Sequence, residues 1–263
     1  MAEHWVHNLN PVIFSFGRLA IGWYGVLYVI SFIIGYIFVK KNMAKKNVNM
    51  SRDHYENFIF YIILGVLIGG RLGYVLFYGL SYYIQNPLST FAVWQGGMSF
   101  HGGALGVIIV GLMFCKKYKY HFYTIADPVM PLVAIGLGLG RIANFINGEL
   151  YGKETTVPWA VIFADGVPRH PSQLYQALLE GFLMAVLLQI VLLKTNIKGL
   201  VFWLFISTYG IARFFIEYIR VPDDLPMYDD GLLFSLFSMG QVLSIVMVIA
   251  AGVGMWFVLK NKA

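Results

Sequence analysis

Seven stretches of about twenty apolar residues, set apart by short segments where the charges collect, constrain this chain more than any other feature. They run over 18–39, 55–79, 97–114, 125–148, 173–193, 199–219 and 232–259. A helix needs about 20 such residues to cross the hydrocarbon of a bilayer, where only helices and closed barrels satisfy their own backbone groups. The expectation is an all-α polytopic membrane protein with seven transmembrane helices in a single domain over 1–263. Hydrophobic residues make up 59% of the chain and charged residues 12%, with mean hydropathy +0.69. Soluble domains carry about 25% charged residues, so a disordered chain, a nucleic-acid binder and most soluble enzymes are excluded.

The net charge of +6 is explained by where the basic residues fall. Cytoplasmic loops collect Lys and Arg near span ends. With the N-terminus outside and the C-terminus cytoplasmic, the inner segments hold Lys40, Lys41, Lys45, Lys46, Arg52, Lys116, Lys117, Lys119, Lys194, Lys198, Lys260 and Lys262. The outer side keeps only Arg18, Lys153, Arg169 and Arg220, and the opposite orientation breaks the rule in every loop. The polar start, Met1 to Asn10, and the length of the first apolar stretch argue for a retained span rather than a secretory signal. The one cysteine, Cys115, rules out a disulfide framework and a multi-thiolate metal site; near the cytoplasmic end of the third span, it is expected to be inert. The sizeable extramembrane piece is 149–171, broken by Gly152, Pro158, Gly166 and Pro168 around a strand-like run from Pro158 to Phe163. It is expected to form a small outer cap. Glycine pairs four residues apart, Gly65/Gly69, Gly69/Gly73 and Gly136/Gly140, read as helix-packing positions.

Charged groups inside a bilayer are costly and usually mark a site or a pairing. Arg141 lies about 16 residues into an outward-running span and Arg213 about 14 into another, roughly 24 and 21 Å from the cytoplasmic face at 1.5 Å per residue. Arg71 falls at a similar level, and His101 and Tyr24 lie just inside the outer ends of two further spans. Arg71 alone is equally consistent with a snorkelling or helix-pairing residue. Three arginines at one depth, with Glu217 four residues from Arg213 as a partner, leave at least one guanidinium for an outside counter-ion. A lipid phosphate, held by two parallel hydrogen bonds, fits that role. Gly102 and Gly103 follow His101 at the outer start of the third span, where open amides and the helix dipole suit an anion, although close packing explains these glycines equally well.

The run Gly140-Arg141-Ile142-Ala143-Asn144-Phe145-Ile146-Asn147-Gly148-Glu149-Leu150-Tyr151-Gly152 is more specific. Arg141, Asn144 and Asn147 lie along one side of a helix, and a lipid-facing stripe has no use for two amides and a carboxylate. In the sixth span Tyr209, Arg213, Glu217 and Arg220 form a polar ribbon, and Pro222-Asp223-Asp224 turns the chain beyond it. His170 to Gln176 starts the fifth span, with Ser172 as its expected N-cap.

At these residues the sequence resembles the prolipoprotein diacylglyceryl transferase family. Gly140 to Gly152 matches that family's signature stretch, and Trp23-Tyr24-Gly25, His101-Gly102-Gly103, His170 to Tyr175, and Tyr209-Gly210 with Arg213, Glu217 and Arg220 support it. The resemblance implies transfer of the sn-1,2-diacylglyceryl group of phosphatidylglycerol to the lipobox cysteine thiol of prolipoproteins, forming a thioether and releasing glycerol 1-phosphate. It also implies a multi-pass protein of the bacterial cytoplasmic membrane, with its active site facing the outer leaflet. Tyr24, His101, Arg141, Asn144, Glu149, Gly152, Tyr209 and Arg213 correspond to family positions linked to activity.

The chemistry of the residues fits this independently. A free thiol, with pKa about 8.5, needs a base or a positive field to become a thiolate. Arg141 and Arg213 suit the charge that develops on a departing phosphate monoester. His101 is the candidate base, with Glu149 or water as alternatives; Asn144 and Tyr24 would orient the headgroup. Asn147, Gly152, Tyr209, Glu217, Gly102, Gly103 and Arg71 complete the candidate substrate-binding set. No metal or cofactor is expected, and the expected partners are phosphatidylglycerol, the prolipoprotein signal peptide and membrane lipid, with no nucleic acid. The alternative from another class is a seven-helix transporter or receptor that uses the arginines only to bind an anionic lipid or metabolite. A mid-span lysine, a GxSG run and an HExxH run are all missing from the sequence, which sets aside retinal-type, serine-protease and metalloprotease chemistry.

Overall fold

The computed structural model describes residues 4–17, 19–92, 96–221, 232–233 and 237–261. Arg18 and the turn at Pro222-Asp223-Asp224 lie outside the described residues. The chain divides into two compact units, one made of residues 47–125 and the other of residues 1–46 with 126–263.

Helix α1, Trp23–Lys45, belongs to the larger unit, and α2, Arg52–Tyr78, opens the smaller one. Ser51 caps α2 by accepting from the His54 N–H at 3.2 Å. A short helix α3, Leu80–Gln85, and a 3-10 turn, Pro87–Phe91, lead to α4, Phe100–Tyr118. The two long helices run backbone against backbone. A Cβ on Gly69 would stand 2.4 Å from the Gly102 carbonyl oxygen, and one on Gly106 would stand 2.2 Å from that of Gly65. This is the small-residue contact that helices use in lipid, where no hydrophobic force draws them together. Phe58, Phe114 and Tyr118 fill the far end of the same interface, with Phe58 and Phe114 ring centroids 5.2 Å apart.

The larger unit holds α1, then α5 (Phe122–Ile146), α6 (Ser172–Gln176), a π-helical turn (Ala177–Leu183), α7 (Met184–Lys194), α8 (Leu200–Ile216) and α9 (Met239–Lys260). Its apolar core joins Ala134 of α5 to Met184, Ala185, Leu188 and Leu192 of α7 and to Val201 and Phe205 of α8. Gly138 and Gly181 bring α5 against the π turn, since a Cβ on Gly181 would lie 2.5 Å from the Gly138 Cα. Asp127 of α5 caps α8, accepting from the N–H groups of Gly199 at 2.6 Å and Phe202 at 2.9 Å. Asn42 of α1 donates to the Pro128 carbonyl at 3.2 Å and pairs with Gln189 of α7 at 3.0 Å, so polar groups tie the helices where the surroundings are apolar.

Three small sheets complete this unit. β1 (Trp5–Val6) runs parallel to β4 (Val161–Ile162), which pairs antiparallel with β5 (Pro168–Arg169). β2 (Val12–Phe16) and β3 (Leu19–Gly22) form a hairpin, and β6 (Leu232–Leu233) pairs with β7 (Phe237–Ser238).

Among the described residues, five helices are long and apolar enough to cross a membrane: Trp23–Lys45, Arg52–Phe77, Phe122–Ile146, Ser172–Lys194 and Gly240–Lys260. Leu200–Ile216 is a shorter apolar helix. Leu67, Leu76, Leu187, Val246 and Ile249 stand exposed on these helices, as faces turned to lipid do. The chain is a mostly helical, polytopic membrane protein.

Several helix bounds depart from the expected ones. The first helix begins at Trp23 because the apolar residues 19–22 belong to the hairpin, and the last begins at Met239, where Ser238 and Gln241 form a reciprocal capping box. Ser172 does not cap the fifth helix. Pro171 holds the cap position without a side-chain bond, and the Ser172 hydroxyl donates instead to the Leu150 carbonyl at 3.2 Å. Within Pro158 to Phe163 only Val161–Ile162 is strand, and part of its pairing comes from β1.

Candidate active site

The last turns of α5 carry Arg141 and Asn144, and the helix ends at Ile146. Gly148 then takes φ +68 and Leu150 φ +58, which folds the chain back over the helix end. The Glu149 carboxylate returns to the helix, where it accepts from Asn144 Nδ2 at 2.8 Å and Asn147 Nδ2 at 3.4 Å. The Gln173 amide fixes the backbone of the same turn by donating to the Glu149 carbonyl at 2.7 Å. The signature run is therefore a closed hydrogen-bonded loop whose side chains hold one another. His7 braces it from the N-terminal segment: its Nε2 bonds the Phe145 carbonyl at 2.7 Å and its ring stacks on Phe163.

Gly152 has a steric reason. Its N–H donates to the His170 carbonyl at 2.9 Å and it bridges Arg220. A Cβ there would lie 2.6 Å from the Ile219 carbonyl oxygen and 2.8 Å from His170 Cβ. His170 sits beside Tyr175, its Nδ1 3.4 Å from the hydroxyl, and burial lowers its pKa below the ordinary imidazole value.

α8 supplies Tyr209 and Arg213, with Glu217 at its C-cap. Arg213 Nη2 lies 3.0 Å from Glu217 Oε2, the pair expected from their spacing. Gly240 of α9 leaves room for that carboxylate, because a Cβ would stand 2.7 Å from it. Tyr209 is within hydrogen-bonding reach of Arg141. Tyr24, stacked on Tyr28 with ring centroids 5.1 Å apart, lies within electrostatic reach of Arg141 and Glu149. The larger unit thus gathers Tyr24, Arg141, Asn144, Asn147, Glu149, Tyr209, Arg213 and Glu217. Arg213 Nη1 is buried and has no hydrogen-bond partner among the described residues.

Sequence reasoning missed Glu180. It is 1% exposed on the π turn, and it interacts electrostatically with Arg141, Arg213 and Arg220. The supply of acidic residues near the arginines is therefore larger than expected. The same rule that singled out Arg71, Arg141 and Arg213, a charge inside an apolar span, applies to Glu180 without change.

The smaller unit holds the remaining candidates in a different state. Arg71 is 5% exposed and spends its guanidinium on backbone carbonyls: Nε to Thr90 at 2.8 Å, Nη1 to Gly96 at 2.6 Å and Gly97 at 3.1 Å, and Nη2 to Ser89 at 2.5 Å. Tyr83 faces its charged group at 5.2 Å. The Gly102 N–H donates to Ser99 Oγ and the Gly103 N–H to the Ser99 carbonyl, so these two amides are not open to an anion, and Gly102 serves the contact with α2. The side chain of His101 lies outside the described residues. Among the described residues, no three His, Cys, Asp or Glu side chains are grouped to hold a metal ion.

The family model described as prolipoprotein diacylglyceryl transferase matches residues 11–258. The chain belongs to this family. Phosphatidylglycerol–prolipoprotein diacylglyceryl transferase of Geobacter sulfurreducens is 48% identical over 242 residues, covering 91% of this chain and 92% of its own. The protein of that name from Bordetella parapertussis is 47% identical over 253 residues, 95% of each chain, and that from Aeromonas salmonicida 43% identical over 261 residues, 98% of this chain and 94% of its own. Every candidate residue, from Tyr24 to Arg220, lies inside the range matched by the prolipoprotein diacylglyceryl transferase family.

Proposed function

We infer that the chain is a phosphatidylglycerol–prolipoprotein diacylglyceryl transferase, acting in lipoprotein maturation. The acceptor is the lipobox cysteine of the prolipoprotein signal peptide. Its sulfur forms a bond to the glyceryl carbon as that carbon's bond to the phosphate oxygen breaks. The diacylglyceryl group becomes a thioether, glycerol 1-phosphate leaves with the electron pair, and the thiol proton passes to a base. The observation that carries this reading is the buried Arg213 N–H, without a partner among the described residues, in a cluster with Arg141 and Tyr209. A donor already in place, in surroundings poor in water, is what a developing phosphate charge requires.

Arg141 and Arg213 are assigned to the phosphate, Asn144, Asn147 and Glu149 to holding the Arg141 helix end and the headgroup, and Tyr24 and Tyr209 to orientation. Glu217 sets the position of Arg213, and Gly152 lets the chain around it close on Arg220. Arg71 contributes by fixing the loop before α4. His101 is assigned the thiol proton on the strength of the His101-Gly102-Gly103 match. The distribution of Lys and Arg supports seven spans with the N-terminus outside and the C-terminus cytoplasmic, in the bacterial cytoplasmic membrane. In that orientation 149–171 caps a site facing the outer leaflet. No metal or cofactor takes part in the scheme.

The test is to incubate the purified protein with labelled phosphatidylglycerol and a lipobox peptide. Thioether-linked peptide and glycerol 1-phosphate are expected; their absence overturns the reading in favour of a protein that only binds anionic lipid. His101→Gln is expected to slow transfer at least about tenfold, the usual share of general base catalysis, and an unchanged rate and pH profile would reassign the proton to Glu149 or water.

A further inference from the structure

Several buried polar atoms of α6, the π turn and α8 find no partner among the described residues: Gln173 Oε1, both Nε2 and Oε1 of Gln176, Glu180 Oε1 and Arg213 Nη1. Gln173, Gln176 and Glu180 are each only 1% exposed. α6 and the π turn pack on α8, which carries Arg213. Native interiors keep such unpaired groups rare, so a group of them calls for a bound partner. The π turn is part of the same design. A one-turn π insertion often accompanies a functional site, and here Gly181 seats the turn against Gly138 of α5. Glu180, beside Gly181, is thereby held near Arg141, which lies one helical turn beyond Gly138.

The open atoms differ in kind. Arg213 offers an N–H to an anion. Gln176 offers a donor and an acceptor together, and Glu180 and Gln173 offer acceptors. A phosphate can accept from the N–H groups but leaves the oxygens of Gln173, Gln176 and Glu180 unmatched. A neutral group with two hydroxyls, each able to donate and accept, satisfies those oxygens too, and the headgroup of phosphatidylglycerol is a phosphate followed by a glycerol with two free hydroxyls. An ethanolamine headgroup brings donors only and leaves the Gln176 N–H group unmatched; a phosphatidic acid leaves these oxygens empty. Sites built to bond a hydroxyl discriminate strongly against ligands that lack it.

We propose that Gln176 and Glu180 bind the glycerol hydroxyls of the donor headgroup and so select phosphatidylglycerol among phospholipids that share its phosphate. This rests on the transferase reading above. The experiment measures displacement of a fluorescent phosphatidylglycerol from the purified protein by unlabelled phosphatidylglycerol and by phosphatidic acid of the same acyl chains. The wild-type protein is expected to prefer phosphatidylglycerol. Gln176→Leu is expected to shrink that preference about tenfold, as loss of two hydrogen bonds implies, while phosphatidic acid binds as before. Gln176→Met, which keeps the length of the side chain without the amide, replaces it if the leucine variant does not fold. Glu180→Gln keeps an accepting oxygen and is expected to lose less.

An unchanged preference in a folded variant, or a parallel fall for both lipids, overturns the proposal, as does a wild-type protein without preference. A wild-type protein that prefers phosphatidylglycerol yet makes no thioether product overturns the transferase reading instead.

Discussion

Arg71 in α2 and Arg213 in α8 are both guanidinium groups carried inside apolar helices, and they find different kinds of partner. Arg71 is held by the carbonyls of Ser89, Thr90, Gly96 and Gly97 and faces the Tyr83 ring. Arg213 pairs with the Glu217 carboxylate, has Glu180 within electrostatic reach, and keeps a buried N–H without a partner among the described residues. An arginine satisfied by backbone pins a loop, because a carbonyl takes its hydrogen bonds without neutralising or releasing it. An arginine whose bonds are incomplete is held ready for something else. Main-chain carbonyls hold the buried charge in one unit, whereas in the other it is met by carboxylates that leave one N–H open among the described residues.

The sharpest way to break this comparison is to remove the arginines of the larger unit. Arg141→Ala is expected to cut transfer at least about a hundredfold, the scale of a lost donor to developing charge, with the thermal unfolding midpoint of the purified protein little changed. Near-wild-type turnover would make Arg141 structural and erase the contrast. Arg71→Ala is expected to do the reverse. It strips four part-buried carbonyls of their donor, which costs about 1–3 kcal/mol of stability, while the fraction that stays folded keeps transfer within a few-fold. Loss of transfer at an unchanged midpoint would move Arg71 into the site.

Gly69→Ala asks how far the smaller unit depends on its helix contact. Its methyl would press on the Gly102 carbonyl at 2.4 Å, and overpacking of this kind costs about 1–3 kcal/mol. The smallest effect is expected at the exposed rim, from Asp165→Asn. Burial acts to raise the Asp165 pKa, but the hydrogen bond from Arg169, the Val167 N–H and the Arg169 charge outweigh it and hold the carboxyl below its ordinary value. A carboxyl lowered on folding adds stability above its unfolded pKa, about 4, and loses it as the pH falls further. The pair is expected to contribute about 0–1 kcal/mol, visible as a small difference in unfolding midpoint at neutral pH that vanishes in acid.

The sequence made Arg141, Asn144, Asn147, Tyr209, Arg213 and Glu217 legible because polar side chains in apolar helices have few reasons to exist. Glu180 was equally legible by that rule, since its carboxylate interrupts the fifth apolar stretch. The role of Arg71 was not, because its partners are main-chain carbonyls and any sequence supplies those. Hydropathy also blurred the helix starts. Residues 19–22 are as apolar in a hairpin as in a span, and only geometry separates the two. The start at Met239 did leave a mark, the Ser238 and Gln241 spacing of a capping box. The N-terminal strand left none, since two residues carry no periodicity.

That strand has a consequence for how the protein is made. Trp5 pairs with Val161 and His7 bonds the Phe145 carbonyl 138 residues away. This segment leaves the ribosome well before the partners it pairs with, and contacts so distant along the chain form slowly. The signature loop acquires its brace only after the helices between have been built, so the loop is pinned by a contact that the early part of the chain cannot make on its own.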